Sequence, residues 1–143
     1  MKKGQDYTGV TIVFACHDGD GNYLFAKRGP NCRDEHGTWD CGAGALEFGT
    51  TIEETLRKEI GEEYTASVLS HEFLGYRDVH REYEGNRTHW LALDFKVHVD
   101  TNGVSNGEPH KMEEIGWFKL HTLPELMHSQ WDIFFNKYKD KLT

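Results

Sequence analysis

The segment from residue 41 to residue 64 constrains the fold more than any other part of the chain. Residues 41–49 read CGAGALEFG, and such frequent glycines are typical of backbone that approaches a neighbour closely. Thr50 and Thr51 follow, and each has a glutamate three residues later, which is the pattern of a helix capping box. The segment therefore predicts a glycine-rich turn that leads into a helix ending near Tyr64.

The predicted helix carries two different faces. Three apolar residues recur at four-residue spacing and form a buried stripe: Leu56, Ile60 and Tyr64. Beside that stripe, Glu59, Glu62 and Glu63 lie within an arc of about 100°. Like charges at this spacing repel, so the face is either solvated or neutralised by a cation. Clustered carboxylate oxygens suit Mg²⁺ or Mn²⁺ better than a soft metal.

The other elements predict an α/β (α+β) fold. Alternating or continuous apolar runs indicate five strands, at Thr8 to Cys16, Tyr23 to Arg28, Val68 to His80, Thr88 to Asp100 and Ile115 to Leu120. The first two are expected to form a hairpin through HDGDGN, and the next two to pair antiparallel. Residues 29–40 and 101–111 read as loops. A C-terminal helix is indicated by apolar residues at helical spacing: Trp131, Phe134, Phe135, Tyr138 and Leu142.

Length and charge limit the classes of protein. The chain has 143 residues and a net charge of −8, which suits one domain with its own core. The negative charge disfavours stable binding to nucleic acid or to anionic lipid. No apolar run is long enough to span a membrane or to act as a signal peptide. Three cysteines cannot all pair, and together these features predict a cytoplasmic protein.

The spacing of the glycine-rich stretch and the helix matches a known motif. The Nudix box reads Gly, five residues, Glu, seven residues, then Arg-Glu-apolar-x-Glu-Glu-x-Gly-apolar. This sequence follows that spacing without a gap from Gly44 to Ala66, and it resembles the Nudix hydrolases of the MutT-like type. Gly37-Thr38-Trp39 before the box and Leu123-Pro124 near the end agree with the family order. The resemblance implies a Nudix-type α/β/α sandwich with a mixed sheet, as a single Nudix domain over residues 1–143.

The box departs from the family pattern at three positions. Thr50 stands for Glu, Lys58 for Arg and Thr65 for Gly. The first two changes together remove a plausible charge pair, and Lys is a poorer bidentate partner than Arg. Thr50 retains a structural role as a helix cap. The three helix glutamates are all present.

The resemblance implies an activity and a set of site residues. The activity is metal-dependent hydrolysis of a phosphoanhydride in a nucleoside diphosphate linked to another group, with a nucleoside triphosphate as the expected small-molecule substrate. Mg²⁺ or Mn²⁺ is the implied cofactor, and a homodimer is common in the family. The implied catalytic and metal-binding residues are Glu59, Glu62 and Glu63, with Ala43 contributing its backbone. The implied substrate contacts are Arg28, Trp39, Gly44 and Lys58, and the candidates for an acid from a later loop are Glu108, Glu113 and Glu114.

Three other interpretations remain open from the sequence. The altered box is compatible with a catalytically impaired Nudix-fold module that binds or senses a nucleotide, although the three retained helix glutamates argue against it. Cys41, directly before the glycine-rich stretch, is compatible with an isomerase of the isopentenyl-diphosphate type. A third possibility is a zinc site, for which thiolate and imidazole ligands are available: Cys32, His36 and Cys41, with Cys16 and His17 in the adjacent strand.

Overall fold

The computed structural model describes residues 1–143 and contains seven strands and two helices. The strands are β1 Gly9–His17, β2 Asn22–Arg28, β3 Trp39–Asp40, β4 Gly42–Ala45, β5 Val68–Tyr83, β6 Asn86–Val99 and β7 Met112–Lys119. The helices are α1 Ile52–Tyr64 and α2 Trp131–Leu142. The expected helices and long strands are therefore present, and the two short strands β3 and β4 are additional. Neither helix is long and apolar enough to cross a membrane.

β1 lies at the centre of a mixed sheet whose strand order is β3-β2-β1-β6-β5. It pairs in parallel with β6 along its whole length and antiparallel with β4 from Thr11 to Phe14. β5 and β6 form the expected antiparallel hairpin. Its turn is formed by Glu84 and Gly85, which both have positive φ, as a tight two-residue hairpin turn requires.

The first hairpin differs from the sequence-based expectation. β1 and β2 pair only at His17 and Tyr23, next to the turn. Beyond that point, β4 occupies the edge of β1, and a strand edge accepts only one neighbour. β2 therefore diverges and pairs with β7 and β3 instead, which opens space between the two groups of strands.

Each helix covers one face of the sheet. Leu56, Ile60 and Tyr64 of α1 are fully buried against β1 and β6, as the apolar stripe predicts. On the opposite face, α2 buries Trp131 and Phe134 in a second core. This arrangement is the expected α/β/α sandwich, and it holds α1 firmly against the sheet.

The first turn of α1 is capped by Thr51 and not by Thr50. The Thr51 side chain accepts the backbone N–H of Glu54, and the Glu54 carboxylate accepts the backbone N–H of Thr51, which completes the capping box. Thr50 instead donates its hydroxyl to the carbonyl of Glu47 and shares a hydrogen bond with Thr55. Of the two capping boxes that the sequence predicts, the one at Thr51 is confirmed, since Thr51 has the extended backbone of an N-cap; the predicted cap at Thr50 is wrong.

The residue that caps the end of α1, Thr65, is the third position at which the sequence departs from the Nudix box. Thr65 is left-handed, with φ of 48°, a conformation that glycine adopts without strain and that other residues rarely take. The Thr65 hydroxyl is 2.6 Å from the carbonyl oxygen of Gly103 and 2.8 Å from Ser105 Oγ. These contacts fix the loop after β6 against the end of the helix.

The cap assignment has a measurable consequence. We expect Thr51→Ala to lower the free energy of unfolding by about 1 kcal/mol, because the backbone N–H of Glu54 loses its acceptor. Urea denaturation followed by circular dichroism measures the change. The exposed Thr122→Ala is the matched control, with a change of at most about 0.5 kcal/mol. A Thr51→Ala variant as stable as the control would contradict the assignment.

Candidate functional site

A cavity of about 680 Å³ lies where β4, α1 and the loop before β7 meet. One wall is acidic and is formed by Glu59, Glu62, Glu63 and Glu108. Three basic residues also line the cavity: Arg28, Arg33 and Lys111. Ala43 and Gly44 of β4 complete this part of the lining. The structure thus brings the three helix glutamates together with Glu108, one of the candidates from the later loop, and with Arg28, one of the expected substrate contacts.

Gly44 allows the helix carboxylates to approach the strand. A Cβ atom built at Gly44 would overlap the carboxylate of Glu59. Ala43, the neighbouring residue, lies in the same strand without a positive φ, so its side chain is tolerated there. The glycine of the motif is therefore required by the position of Glu59.

Glu63 is the most constrained of the four carboxylates. Its Oε2 atom is buried and has no hydrogen-bond partner in the protein. Desolvation raises the pKa of Glu63 well above its usual value, Glu108 and Glu59 raise it further, and the backbone of Ala43 opposes the shift. The pKa of Glu59 is also raised, first by desolvation and then by Glu62. A buried carboxylate without a partner is costly to keep charged.

The loop after β6 brings the fourth carboxylate to the helix. The backbone N–H groups of Ser105 and Gly107 donate to the carbonyls of Tyr64 and Glu63, at 3.0 and 2.9 Å. A Cβ at Gly107 would overlap the Glu62 carbonyl, so the loop packs tightly under the last turn. Glu108 follows directly and lines the cavity.

These donors fit a hard divalent cation. All the charged groups on this wall offer carboxylate oxygens, which Mg²⁺ and Mn²⁺ prefer. A cation would supply the partner that Glu63 Oε2 lacks and would offset the repulsion among the four carboxylates. The residues present therefore match the expected cofactor in chemistry.

Four of the residues singled out from the sequence lie outside the cavity. Trp39 packs edge-on against Phe118, with ring centroids 5.2 Å apart. Glu113 is 3.6 Å from Lys27 Nζ, and Glu114 is exposed on β7. Lys58 does not line the cavity, and its ammonium group pairs with Glu47.

The partner of Lys58 was not apparent from the sequence. Lys58 Nζ lies 2.8 Å from Glu47 Oε1 and 3.9 Å from Glu62 Oε1. The charge pair expected to be lost with Thr50 is therefore present through another acid, three residues earlier in the turn. Glu47 and Lys58 are both half exposed, so solvent screens the pair and it contributes little to stability. In the sequence, the only indication of this ion pair was Glu47, the single acidic residue of the glycine-rich stretch.

The structure does not assemble the zinc site considered above. All three cysteines are free thiols. Cys32 donates to the carbonyl of Lys111, and a ring nitrogen of His36 contacts the carbonyl of Cys32. The residues whose metal-binding atoms do come together are different: Asp34, Glu35 and His128 in one group, and Asp78, His80 and His89 in another.

Fold and site together define the class of the protein. The family model of the NUDIX domain matches residues 7–137, which is most of the chain. The chain belongs to the NUDIX domain family and is a Nudix hydrolase, a class that acts on nucleoside diphosphate derivatives and generally uses divalent metals.

Solved structures agree with this assignment. A MutT NUDIX hydrolase from Burkholderia pseudomallei is 25% identical, with a TM-score of 0.79 over 91% of this chain and 97% of the other. The MutT protein from Methanosarcina mazei Go1 shares the fold at 19% identity, with a TM-score of 0.76 over 94% of each chain. So does the NUDIX domain of Shewanella oneidensis NrtR, solved with ADP ribose, at 12% identity and a TM-score of 0.76 over 100% of this chain and 91% of the other. No curated protein has a significant sequence match.

The contact between Gly44 and Glu59 can be tested directly. We expect Gly44→Ala to lower kcat/KM by roughly 100-fold, because the added methyl displaces a carboxylate of the site by about 1 Å. Gly61→Ala is the matched control. Gly61 lies in α1, the helix that carries Glu59, and nothing lies within 4 Å of a Cβ added at this position. This variant should retain activity and gain up to about 1 kcal/mol in stability. Unchanged kinetics in Gly44→Ala would show that the strand does not constrain Glu59.

Proposed function

We propose that this protein is a Mg²⁺- or Mn²⁺-dependent pyrophosphohydrolase that acts on a nucleoside triphosphate. The proposal depends on one observation: four carboxylates, with a buried unpartnered oxygen on Glu63, line the same cavity as three basic residues. A phosphate ligand with a bound divalent cation complements both sets of charges.

Glu59 and Glu63 are the proposed cation ligands, because Glu63 Oε2 is buried without a partner and Gly44 lets the Glu59 carboxylate lie next to β4. A bound divalent cation neutralises charge on phosphate oxygens and lowers the pKa of an attacking water. Glu62 and Glu108 line the same wall, and they are the proposed acceptors of the water proton. Ala43 is proposed to contribute its backbone.

The three basic residues of the cavity are proposed to hold the phosphate chain of the substrate. Arg28 is oriented by Asp34, which accepts from its Nε through the backbone carbonyl and from its Nη2 through the carboxylate. Arg33 and Lys111 line the cavity beside it. Such pre-oriented donors stabilise the negative charge that develops on a leaving phosphate group.

The remaining features of the proposal come from the sequence. We propose that residues 1–143 act as a single domain, in the cytoplasm, on a small nucleotide and without stable binding to nucleic acid. The net charge of −8 and the three free thiols support this. A homodimer stays a prediction from the family resemblance.

A nucleotide panel tests the activity. Products are measured from nucleoside triphosphates, nucleotide sugars and dinucleoside polyphosphates, each with Mg²⁺, with Mn²⁺ and with EDTA. We expect metal-dependent release of pyrophosphate and a nucleoside monophosphate from at least one triphosphate. Calorimetric binding of nucleotides without turnover would contradict the proposal and favour a sensor.

The helix carboxylates provide the sharpest variants. We expect Glu59→Gln and Glu63→Gln each to reduce kcat by at least about 100-fold, because each change removes a charged oxygen ligand. Glu63→Gln should also leave the metal-free protein at least as stable as the wild type, since it removes an unpartnered buried charge. Thermal unfolding in EDTA measures this second effect.

Glu114→Gln is the matched control, because Glu114 lies outside the cavity. It should keep kcat within about twofold of the wild type. Near wild-type kcat in both Glu59→Gln and Glu63→Gln would refute the assignment of the metal ligands. A loss of kcat accompanied by unfolding would assign those residues to the fold instead.

A further inference from the structure

Three side chains with metal-binding atoms meet on one face of the β5–β6 hairpin. Asp78 and His80 are two residues apart on β5, so their side chains point to the same face of the strand. His89 on β6 is the direct antiparallel partner of His80, and such cross-strand pairs share a face. The metal-binding atoms of the three residues all lie within 4.8 Å of one another. None of the three lines the cavity of the helix glutamates.

His89 is held at both of its ring nitrogens. Its Nε2 atom lies 2.9 Å from Asp78 Oδ1, and its Nδ1 atom lies 3.1 Å from the hydroxyl oxygen of Thr8. An imidazole that binds a metal through one nitrogen generally donates the other N–H to a hydrogen-bond acceptor, which fixes the ring and its tautomer. When His89 donates from Nδ1 to Thr8, its Nε2 lone pair faces the Asp78 carboxylate, and a cation between these two atoms satisfies both.

His80 provides a third donor beside this pair. Its ring centroid lies 4.1 Å from that of His89, and the two ring planes differ by 21°. The His80 side chain is exposed, so its ring can turn without disturbing the core. A rotation about its side-chain bonds directs one ring nitrogen to the point shared by Asp78 and His89.

The surroundings of the two imidazoles leave room for water ligands. A cavity of about 390 Å³ adjoins His80 and His89, and its other side is formed by residues 4–8. Asp6 and Arg87 line it with opposite charges, so the cavity adds no net repulsion of a cation. Zinc sites with three protein ligands and one open position have this form.

The donor set differs from that of the helix carboxylates. Two imidazole nitrogens and one carboxylate oxygen are typical ligands of Zn²⁺, whereas Mg²⁺ and Mn²⁺ favour sites made only of oxygen atoms. The two sites therefore suit different metals.

The other group of metal-binding side chains does not offer the same opportunity. Arg81 forms ion pairs with Asp34 and Glu35, and Glu35 also accepts from the backbone N–H and the hydroxyl of Ser129. These carboxylates are thus neutralised within the protein. By contrast, the only ion pair of Asp78 is the one with His89.

We propose that Asp78, His80 and His89 bind one Zn²⁺ ion, through Asp78 Oδ1, His89 Nε2 and a ring nitrogen of His80. Water completes the coordination from the adjoining cavity. The ion links β5 to β6 near the hairpin turn, and the Thr8 hydroxyl positions His89 from the N-terminal segment. This site does not depend on the proposed hydrolase activity.

A calorimetric titration of the full chain with Zn²⁺ tests the site. We expect saturable binding in the wild type and at least about tenfold weaker binding in His80→Gln, because the loss of a ligand should cost at least as much as the loss of a supporting hydrogen bond. His121→Gln is the matched control, since His121 is exposed and belongs to neither group of metal-binding side chains. Equal Zn²⁺ affinity in these two variants would overturn the proposal, and so would the absence of saturable binding in the wild type.

The ring nitrogens of His89 provide a second measurement. In ¹⁵N spectra of the histidine side chains, Zn²⁺ should shift Nε2 of His89 and leave its Nδ1 protonated. Thr8→Val removes the acceptor of Nδ1 without removing a ligand, and we expect it to weaken Zn²⁺ binding about 10- to 100-fold. Shifts confined to histidines other than His80 and His89 would overturn the assignment.

The two metal sites are distinguished by their variants. Glu59→Gln/Glu63→Gln should keep the Zn²⁺ affinity of the wild type, and His80→Gln should keep its Mn²⁺ affinity and its hydrolase activity. If Glu59→Gln/Glu63→Gln loses Zn²⁺ binding while His80→Gln retains it, the zinc proposal is wrong. If no nucleotide is hydrolysed but the zinc results hold, only the proposed function is wrong.

Discussion

Repulsion among four carboxylates is the constraint on which the rest of the site depends. Glu59, Glu62 and Glu63 share one side of a helix that is packed against a sheet, and Glu108 joins them from a loop. Removal of such groups from water disfavours their charged forms, and Glu63 Oε2 has no protein partner. The surrounding structure is tight because it holds this arrangement against repulsion: Gly44 lies against Glu59, and Gly107 lies against the last turn of α1.

β4 lies between two cavities of the molecule. It pairs with β1 and thereby prevents a full β1–β2 hairpin, so that the sheet opens. The four residues of β4 then separate a polar cavity on the α1 side from an aromatic cavity on the α2 side. Residues of one short strand therefore line both cavities, and the close approach of Glu59 to this strand requires the glycine at position 44.

The helical period and the box spacing were sufficient to predict the local part of this site. Helix geometry placed Glu59, Glu62 and Glu63 on one side, and the apolar stripe predicted which face is buried. Contacts between distant segments were not predictable. The capping residue depended on backbone conformation at Thr51, the partner of Lys58 depended on the path of the turn through Glu47, and the Arg77–Asp94 pair joins two strands whose register no local pattern reveals.

Direct titration with Mn²⁺, followed by electron paramagnetic resonance in the absence of nucleotide, measures whether the helix carboxylates bind a cation. We expect the wild type to bind Mn²⁺ and the double variant Glu59→Gln/Glu63→Gln to bind at least about 100-fold more weakly, while circular dichroism shows the same fold. Equal affinity in the two proteins would contradict the claim that these carboxylates form the cation site.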